Sequence, residues 1–215
     1  DFLGLRTLTV IQDTKDLVEQ NRGIKVEFDK DMNDPKVYKQ WQDGTSVGIF
    51  QFESQGMTNF MKELKPDCLE DIIAGVSLYR PGPMDQIPRY IANKKDPEHA
   101  VYTHERLKPI LNVTYGCMVY QEQVMQIVRD LAGYSLGRAD LVRRAMGKKK
   151  LDVMAKEREI FINGQVDEDG NIIVPGCVRN GISAEDANKI FDEMAEFAKY
   201  AFNKSHAAAY AVLSY

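Results

Sequence analysis

Apolar residues recur at three- and four-residue intervals along most of the chain, the spacing that gathers them on one face of an α-helix. The first five residues, Asp-Phe-Leu-Gly-Leu, read instead as the tail of a buried strand. Leu8, Ile11, Leu17 and Val18 predict an inward helical face over residues 7–20, ended by Arg22-Gly23, because glycine takes the left-handed cap conformation at little cost. Residues 24–33 are mostly polar and charged, hence a loop. Asp34 before Pro35 predicts a capped helix start, and that helix carries Val37, Tyr38 and Trp41 and closes at Gly44. Residues 46–54 hold Val47, Ile49, Phe50 and Phe52 without a decisive period. Met57, Phe60, Met61 and Leu64 mark a helix over residues 56–64, stopped by Pro66. Asp67 then caps a helix whose buried stripe is Leu69, Ile72, Ile73 and Val76.

Arg80-Pro81-Gly82-Pro83 predicts a rigid corner, since proline fixes its own φ and pushes the preceding residue out of helical space. A helix over residues 83–93, a loop through Thr103 and a short helix over residues 104–111 follow. Residues 115–150 then carry the most informative pattern. The apolar run Cys117-Met118-Val119-Tyr120 leads into a helix with Val124, Met125, Ile127, Val128 and Leu131 on one face. Gly133 interrupts it, and Ser135 is placed to cap a second helix. There Leu141, Val142, Ala145 and Met146 form an apolar stripe, opposed by Arg143, Arg144 and Lys148, which helical spacing holds within an arc of about 140°. Beyond it come a polar helix with Met154, Ile160 and Phe161, and a β-hairpin signalled by Asp169-Gly170 between Val166 and Ile172-Ile173-Val174. Ser183 with Asp186 resembles a capping box ahead of a helix that buries Ile190, Phe191, Met194 and Phe197. Asn203-Lys204-Ser205-His206 turns into a small-residue helix over residues 207–215. The fold class is mainly α, with a strand remnant at the N-terminus and one small hairpin.

A length of 215 residues suffices for a sizeable core. The formal net charge of −4 makes the basic block local: residues 138–150 hold Arg138, Arg143, Arg144, Lys148, Lys149 and Lys150 against the single anion Asp140. Charge alone divides evenly between a solvated helix end, where cations suit the dipole, and a polyanionic partner. The adjacent arginines favour the partner, because guanidinium forks match phosphate oxygens in pairs. Cys68, Cys117 and Cys177 lack metal-ligand spacing, which suggests a reduced, cytoplasmic setting, with Cys68 and Cys117 as buried thiols. His99 and His104 read as surface residues, and His206 has no ligand partner at suitable spacing. Tyr115, Tyr120 and Tyr134 fit core packing better than base stacking. Gln121-Glu122-Gln123 form a polar helix start. No apolar run approaches bilayer length, so no membrane association is expected. The chain opens inside a hydrophobic run, without Met or a signal-peptide pattern, and stops inside a helical pattern, as expected of a piece of a larger protein.

The segments DFLGLRTLTVI, GIFQFES, LKPDCLEDIIAGVSLYRPGP, YQEQVMQIVRDLAGYSLGRADLVRRAMGKKK and FAKYAFNKSHAAAYAVLSY together cover nearly the whole chain. In that order they resemble the fingers region of the C-family polymerases, the bacterial replicative DNA polymerase III alpha subunits. The resemblance implies that residues 1–22 end a palm strand and connect it onward, and that residues 23–215 form a helical fingers domain. Residues 164–181 would be a peripheral hairpin insertion, dispensable for the core fold, where the family tolerates length variation. It places Asp1 at the third palm aspartate, a catalytic ligand for Mg2+, with the other two carboxylates upstream. One carboxylate cannot build a two-ion site, so this piece alone is expected to be inactive. Arg143, Arg144 and Lys148 are the implied contacts to an incoming deoxynucleoside triphosphate. Arg80 is presented by its prolines for a phosphate or template contact, or equally ties the corner to backbone carbonyls. Lys204, Ser205 and His206 either meet phosphate at a helix N-terminus or merely cap it. Arg138, Lys149 and Lys150 would meet nucleic-acid backbone. Implied partners are primer-template DNA, deoxynucleoside triphosphates and, through regions outside this chain, other replisome subunits. Two other classes compete: a non-catalytic helical nucleic-acid-binding module, and a protein-interaction domain of the replication machinery.

Overall fold

The structure is a computed structural model that describes residues 4–28, 31–148 and 151–215, with Leu151 described in its backbone only. Among these residues the helices are α1 (Arg6–Arg22), α2 (Pro35–Asp43), α3 (Gln55–Leu64), α4 (Leu69–Leu78), α5 (Ile87–Lys95), α6 (Lys108–Leu111), α7 (Gln121–Ala132), α8 (Leu136–Gly147) and α9 (Leu151–Asn163). The strands β1 (Gln165–Val166) and β2 (Ile172–Val174) come next, followed by α10 (Gly176–Arg179), α11 (Ala184–Phe197) and α12 (Lys204–Ser214). The mainly α expectation holds. The chain divides into two compact units, one of Asp1–Val76 with Ser205–Tyr215, the other of Ser77–Lys204.

In the first unit, Asp34 caps α2 by accepting from the Lys36 amide at 2.8 Å, and Ser54 caps α3 by accepting from the Met57 amide at 3.2 Å. The core is aromatic. Trp41 and Phe52 are fully buried and meet edge to face at 5.4 Å between ring centroids, while Phe50 packs on Tyr210 at 5.2 Å. Residues 46–54, ambiguous by pattern, form turns rather than a strand. Two expectations fail. Gly4 and Leu5 are exposed and not in a strand; residues 1–3 lie outside the described residues. In α1, Leu8, Ile11 and Val18 are half-buried, but Leu17 is exposed. Leu17 sits about 100° round the helix from Val18, off the line of half-buried positions Leu8, Ile11, Lys15 and Val18.

The second unit is organised on α7, whose Val124, Ile127, Val128 and Leu131 are fully buried. They share one cluster with Val142 and Met146 of α8, Ile160 and Phe161 of α9, and Ile190, Phe191 and Met194 of α11. The expected stripe on α8 is corrected at Leu141, which is exposed, while Ala139 is buried. Ala139, Val142, Ala145 and Met146 span an arc of about 120°. Leu141 falls outside it, on the side of Arg144 and Lys148. The hairpin forms, with Gln165 opposite Val174 and Val166 opposite Ile172. Asp167 closes its tip by accepting from the amides of Asp169 and Asn171. The stretch 164–181 is not peripheral throughout, however: Val174 and Cys177 lie in the core cluster. Its base is tight. Gly176 has φ +78°, and a Cβ there would stand 2.3 Å from the Gly164 amide nitrogen.

Cys117 and Cys177 are buried and Cys68 is half-buried rather than buried. Burial pushes the three thiols up to about 11, 12 and 11 respectively, so they stay protonated and inert as nucleophiles. No helix of the described residues is long and apolar enough to cross a membrane.

Candidate functional site

The polar start of α7 is the joint of the second unit. Gln123 is 3% exposed. Its Oε1 accepts from the amides of Val119 (2.8 Å) and Tyr120 (2.9 Å), and its Nε2 donates to Thr114 Oγ1 (2.8 Å) and to the Ile110 carbonyl (3.4 Å). This is the returning half of a capping box, in which a glutamine at the third helical position satisfies orphan amides before the helix. Gln121 reaches the other way. Its amide donates to the Phe202 carbonyl (2.9 Å) and its Nε2 to the Ala201 carbonyl (3.0 Å). Tyr120 and Phe202 accordingly form a short parallel bridge. Glu122 accepts from Asn203 Nδ2 at 2.9 Å and from the Lys204 amide at 3.1 and 3.2 Å. Residues 120–122 and 201–204 are thus one hydrogen-bonded seam.

Three cations named from the sequence are anchored on that seam. Arg143 donates from Nη1 to Gln121 Oε1 at 3.1 Å, and from Nε and Nη2 to Asp140 Oδ1 at 3.0 and 2.7 Å. The Arg80 guanidinium lies over the Phe202 ring at 4.2 Å, and the Lys204 ammonium over the Tyr120 ring at 5.2 Å, each a cation–π contact. Gly82 fixes the Arg80 corner. Its φ is +106° and a Cβ would meet the Tyr200 ring at 2.2 Å, so only glycine fits. Arg144 pairs with Asp140 Oδ2 at 2.7 Å, yet its side chain stays 63% exposed against 19% for Arg143. The hydrogen bond from Arg143, aided by both guanidinium charges, holds the Asp140 carboxyl below the usual carboxylate range. Arg143 is therefore a strut between α8 and the seam, and Arg144 the cation that faces outward.

The other candidates are placed differently. Lys148 is exposed at the end of α8. Arg138 is turned inward: it donates to Gln165 Oε1 at 2.6 Å and to Glu157 at 3.2 and 3.3 Å, and lies over the Tyr134 ring. Its guanidinium ties α8 to α9 and the hairpin. Burial, then the Glu157 carboxylate, push the Tyr134 phenol far above its ordinary value, so its hydroxyl stays a donor to Glu157. Tyr120 and Tyr134 are buried and Tyr115 half-buried, its ring edge to face with Tyr90, as core packing requires. Ser205 is exposed and His206 half-buried, its ring 4.2 Å from that of Tyr210. The Lys204 amide already serves Glu122, so a phosphate would meet the Lys204 ammonium and not that amide. His99 is exposed and paired with Asp96, whereas His104 is half-buried and accepts from the Arg106 amide. Asp1, Lys149 and Lys150 lie outside the described residues. A cleft of about 300 Å3 is lined by Asp85, Glu193 and Glu196 with Arg89 as its one cation; that charge is wrong for a polyphosphate.

Comparison with known proteins gives this geometry its family. The family model for the bacterial DNA polymerase III alpha subunit finger domain matches residues 7–169. The chain belongs to this family. It is 48% identical over 221 residues to the DNA polymerase III subunit alpha of Thermus aquaticus, and 50% over 216 residues to that of Rickettsia felis. The same subunit of Aquifex aeolicus is 42% identical over 218 residues. Each alignment covers all of this chain, which spans 17% of the Thermus and Rickettsia proteins and 18% of the Aquifex one.

Two features of this fingers domain escaped the pattern reading. Asp140 precedes Arg143 and Arg144 by three and four residues, the spacing at which helical side chains meet, so its pairing was available from sequence. The three-way sorting of Gln121, Glu122 and Gln123 was not, because their partners lie as far as about eighty residues away.

Proposed function

We propose that this fingers domain binds the triphosphate of an incoming deoxynucleotide, as part of a polymerase that extends a primer on a DNA template. The observation that carries this reading is the convergence of Arg80, Arg143 and Lys204 on one seam, with Arg144 facing outward from the same Asp140. A triphosphate is multiply anionic, and positioning with charge neutralisation is most of phosphoryl-transfer catalysis. In this reading Arg144 supplies a bidentate fork, Lys204 and Arg80 supply charge held in place by aromatic rings, and Arg143 fixes α8 against the seam. Lys148, with Lys149 and Lys150, suits the DNA backbone.

Mg2+ belongs to the same reading, with Asp1 as one ligand. The described residues offer one group with metal-ligand proximity, Asp67, Cys68 and Asp71. It does not suit Mg2+: that ion prefers oxygen ligands in octahedral array, and the Cys68 thiol stays protonated. With one carboxylate of a two-ion site, this 215-residue piece by itself is inactive in primer extension.

Equilibrium titration of the full-length polymerase with a deoxynucleoside triphosphate, against inorganic phosphate, tests the reading. Preference for the triphosphate that is lost on Arg144→Ala supports it. Equal, weak binding of both, alongside salt-dependent DNA affinity, points to a plain nucleic-acid-binding module instead.

A further inference from the structure

Glu122 is the one acidic side chain of the seam, and it touches none of the four cations of the nucleotide reading through their charged ends. Its carboxylate accepts from the side-chain amide of Asn203 and from the main-chain amide of Lys204. It stands in the first turn of α7, where the helix N-terminus favours its negative charge. The Lys204 main chain is thereby pinned where its ammonium overlies Tyr120, a residue whose own amide donates to Gln123 Oε1. Gln123 thus holds Tyr120, Glu122 holds the Lys204 backbone, and the Lys204 ammonium rests on the Tyr120 ring.

We propose that Glu122 is a positioning residue for the nucleotide, acting through Lys204. This rests on the reading that the seam binds a triphosphate. Removing the carboxylate leaves every cation in the chain but takes away an acceptor of the Lys204 main-chain amide, so the loss falls on where the ammonium sits. A residue that only stabilised the fold would lower activity without a selective effect on nucleotide use.

The test is steady-state primer extension by the full-length polymerase, with the triphosphate varied, for Glu122→Ala, Glu122→Gln, Lys204→Ala and the double variant. Thermal unfolding and primer-template affinity are measured on each. Glu122→Ala is expected to raise the nucleotide KM about tenfold, the effect of losing one charge-assisted contact, with primer-template Kd unchanged. Glu122→Gln, which keeps an acceptor oxygen, should show a smaller rise; it also carries the test if the Ala variant does not fold. The double variant should be no worse than Lys204→Ala alone, because both changes remove one interaction. Multiplying effects in the double variant, or an unchanged KM for both Glu122 variants, would overturn the proposal. An unchanged KM for Lys204→Ala would overturn it too, and Arg144→Ala in the same assay then shows whether the nucleotide reading survives without it.

Discussion

Gln123→Met probes the joint on which the seam depends. Methionine keeps the length and helix propensity of glutamine but offers no amide. The Oε1 of Gln123 serves two buried amides, Val119 and Tyr120, and its loss leaves both without an acceptor. A buried donor left unsatisfied costs about 1–3 kcal/mol, so the gross loss is about 2–6 kcal/mol. Relief of desolvating the glutamine amide offsets part of this, for an expected net loss of about 2–4 kcal/mol. In a domain of this size that lowers Tm by roughly 5–15 °C. Urea unfolding monitored by circular dichroism measures the free energy, and hydrogen exchange reads the Val119 and Tyr120 amides directly. Gln126→Met is the control: Gln126 is exposed on the same helix and should shift stability by less than about 0.5 kcal/mol. Equal, small effects from both substitutions would refute the assignment of Gln123 as a buried capping residue.

Asp140→Asn should uncouple Arg143 and Arg144 and carry a distinct pH signature. The folded-state pKa of Asp140 is depressed, so its stabilisation is present above about pH 4, the ordinary carboxylate range, and is lost as pH falls through the lower folded value. The difference in unfolding free energy between the two proteins should therefore shrink below about pH 4; a difference that stays constant down to pH 2 would contradict the pairing. At the hairpin, Gly176→Ala should destabilise by about 1–3 kcal/mol, whereas replacing residues 167–171 by a two-residue Asn-Gly turn should change little. Chemical denaturation of both variants ranks them, and the reverse order would show that the tip, not the base, is integral.

Most helices were legible because their periodicity and caps agree. Asp34, Ser135 and Ser183 all accept the expected first-turn amide. What pattern could not supply was contact at long range. Leu17 and Leu141 are apolar in helices and still exposed, since helical spacing says which residues share a face but not how wide a face the neighbours cover. Residues 164–181 looked dispensable because turn residues dominate them, yet Val174 and Cys177 fill the core from the hairpin's base. At the site, the basic residues of α8 were visible as charge, but charge does not distinguish an exposed guanidinium from an inward one. Arg138 and Arg144 differ only in having or lacking partners across the fold.

Nucleotide KM and primer-template Kd, measured together for Arg143→Ala and Arg144→Ala in the full-length polymerase, test the nucleotide reading most directly. Losing a charge-assisted contact removes about 1.5–3 kcal/mol, or roughly ten- to a hundredfold. Arg144→Ala should raise KM or lower kcat by that order with stability unchanged, because its side chain is mostly exposed. Arg143→Ala should do the same and also lose stability, because its guanidinium joins Asp140 to Gln121. Arg144→Lys should rescue only in part, keeping charge but not the fork. Unchanged nucleotide kinetics in both variants, with weaker DNA binding and a shallower salt dependence, would contradict the account.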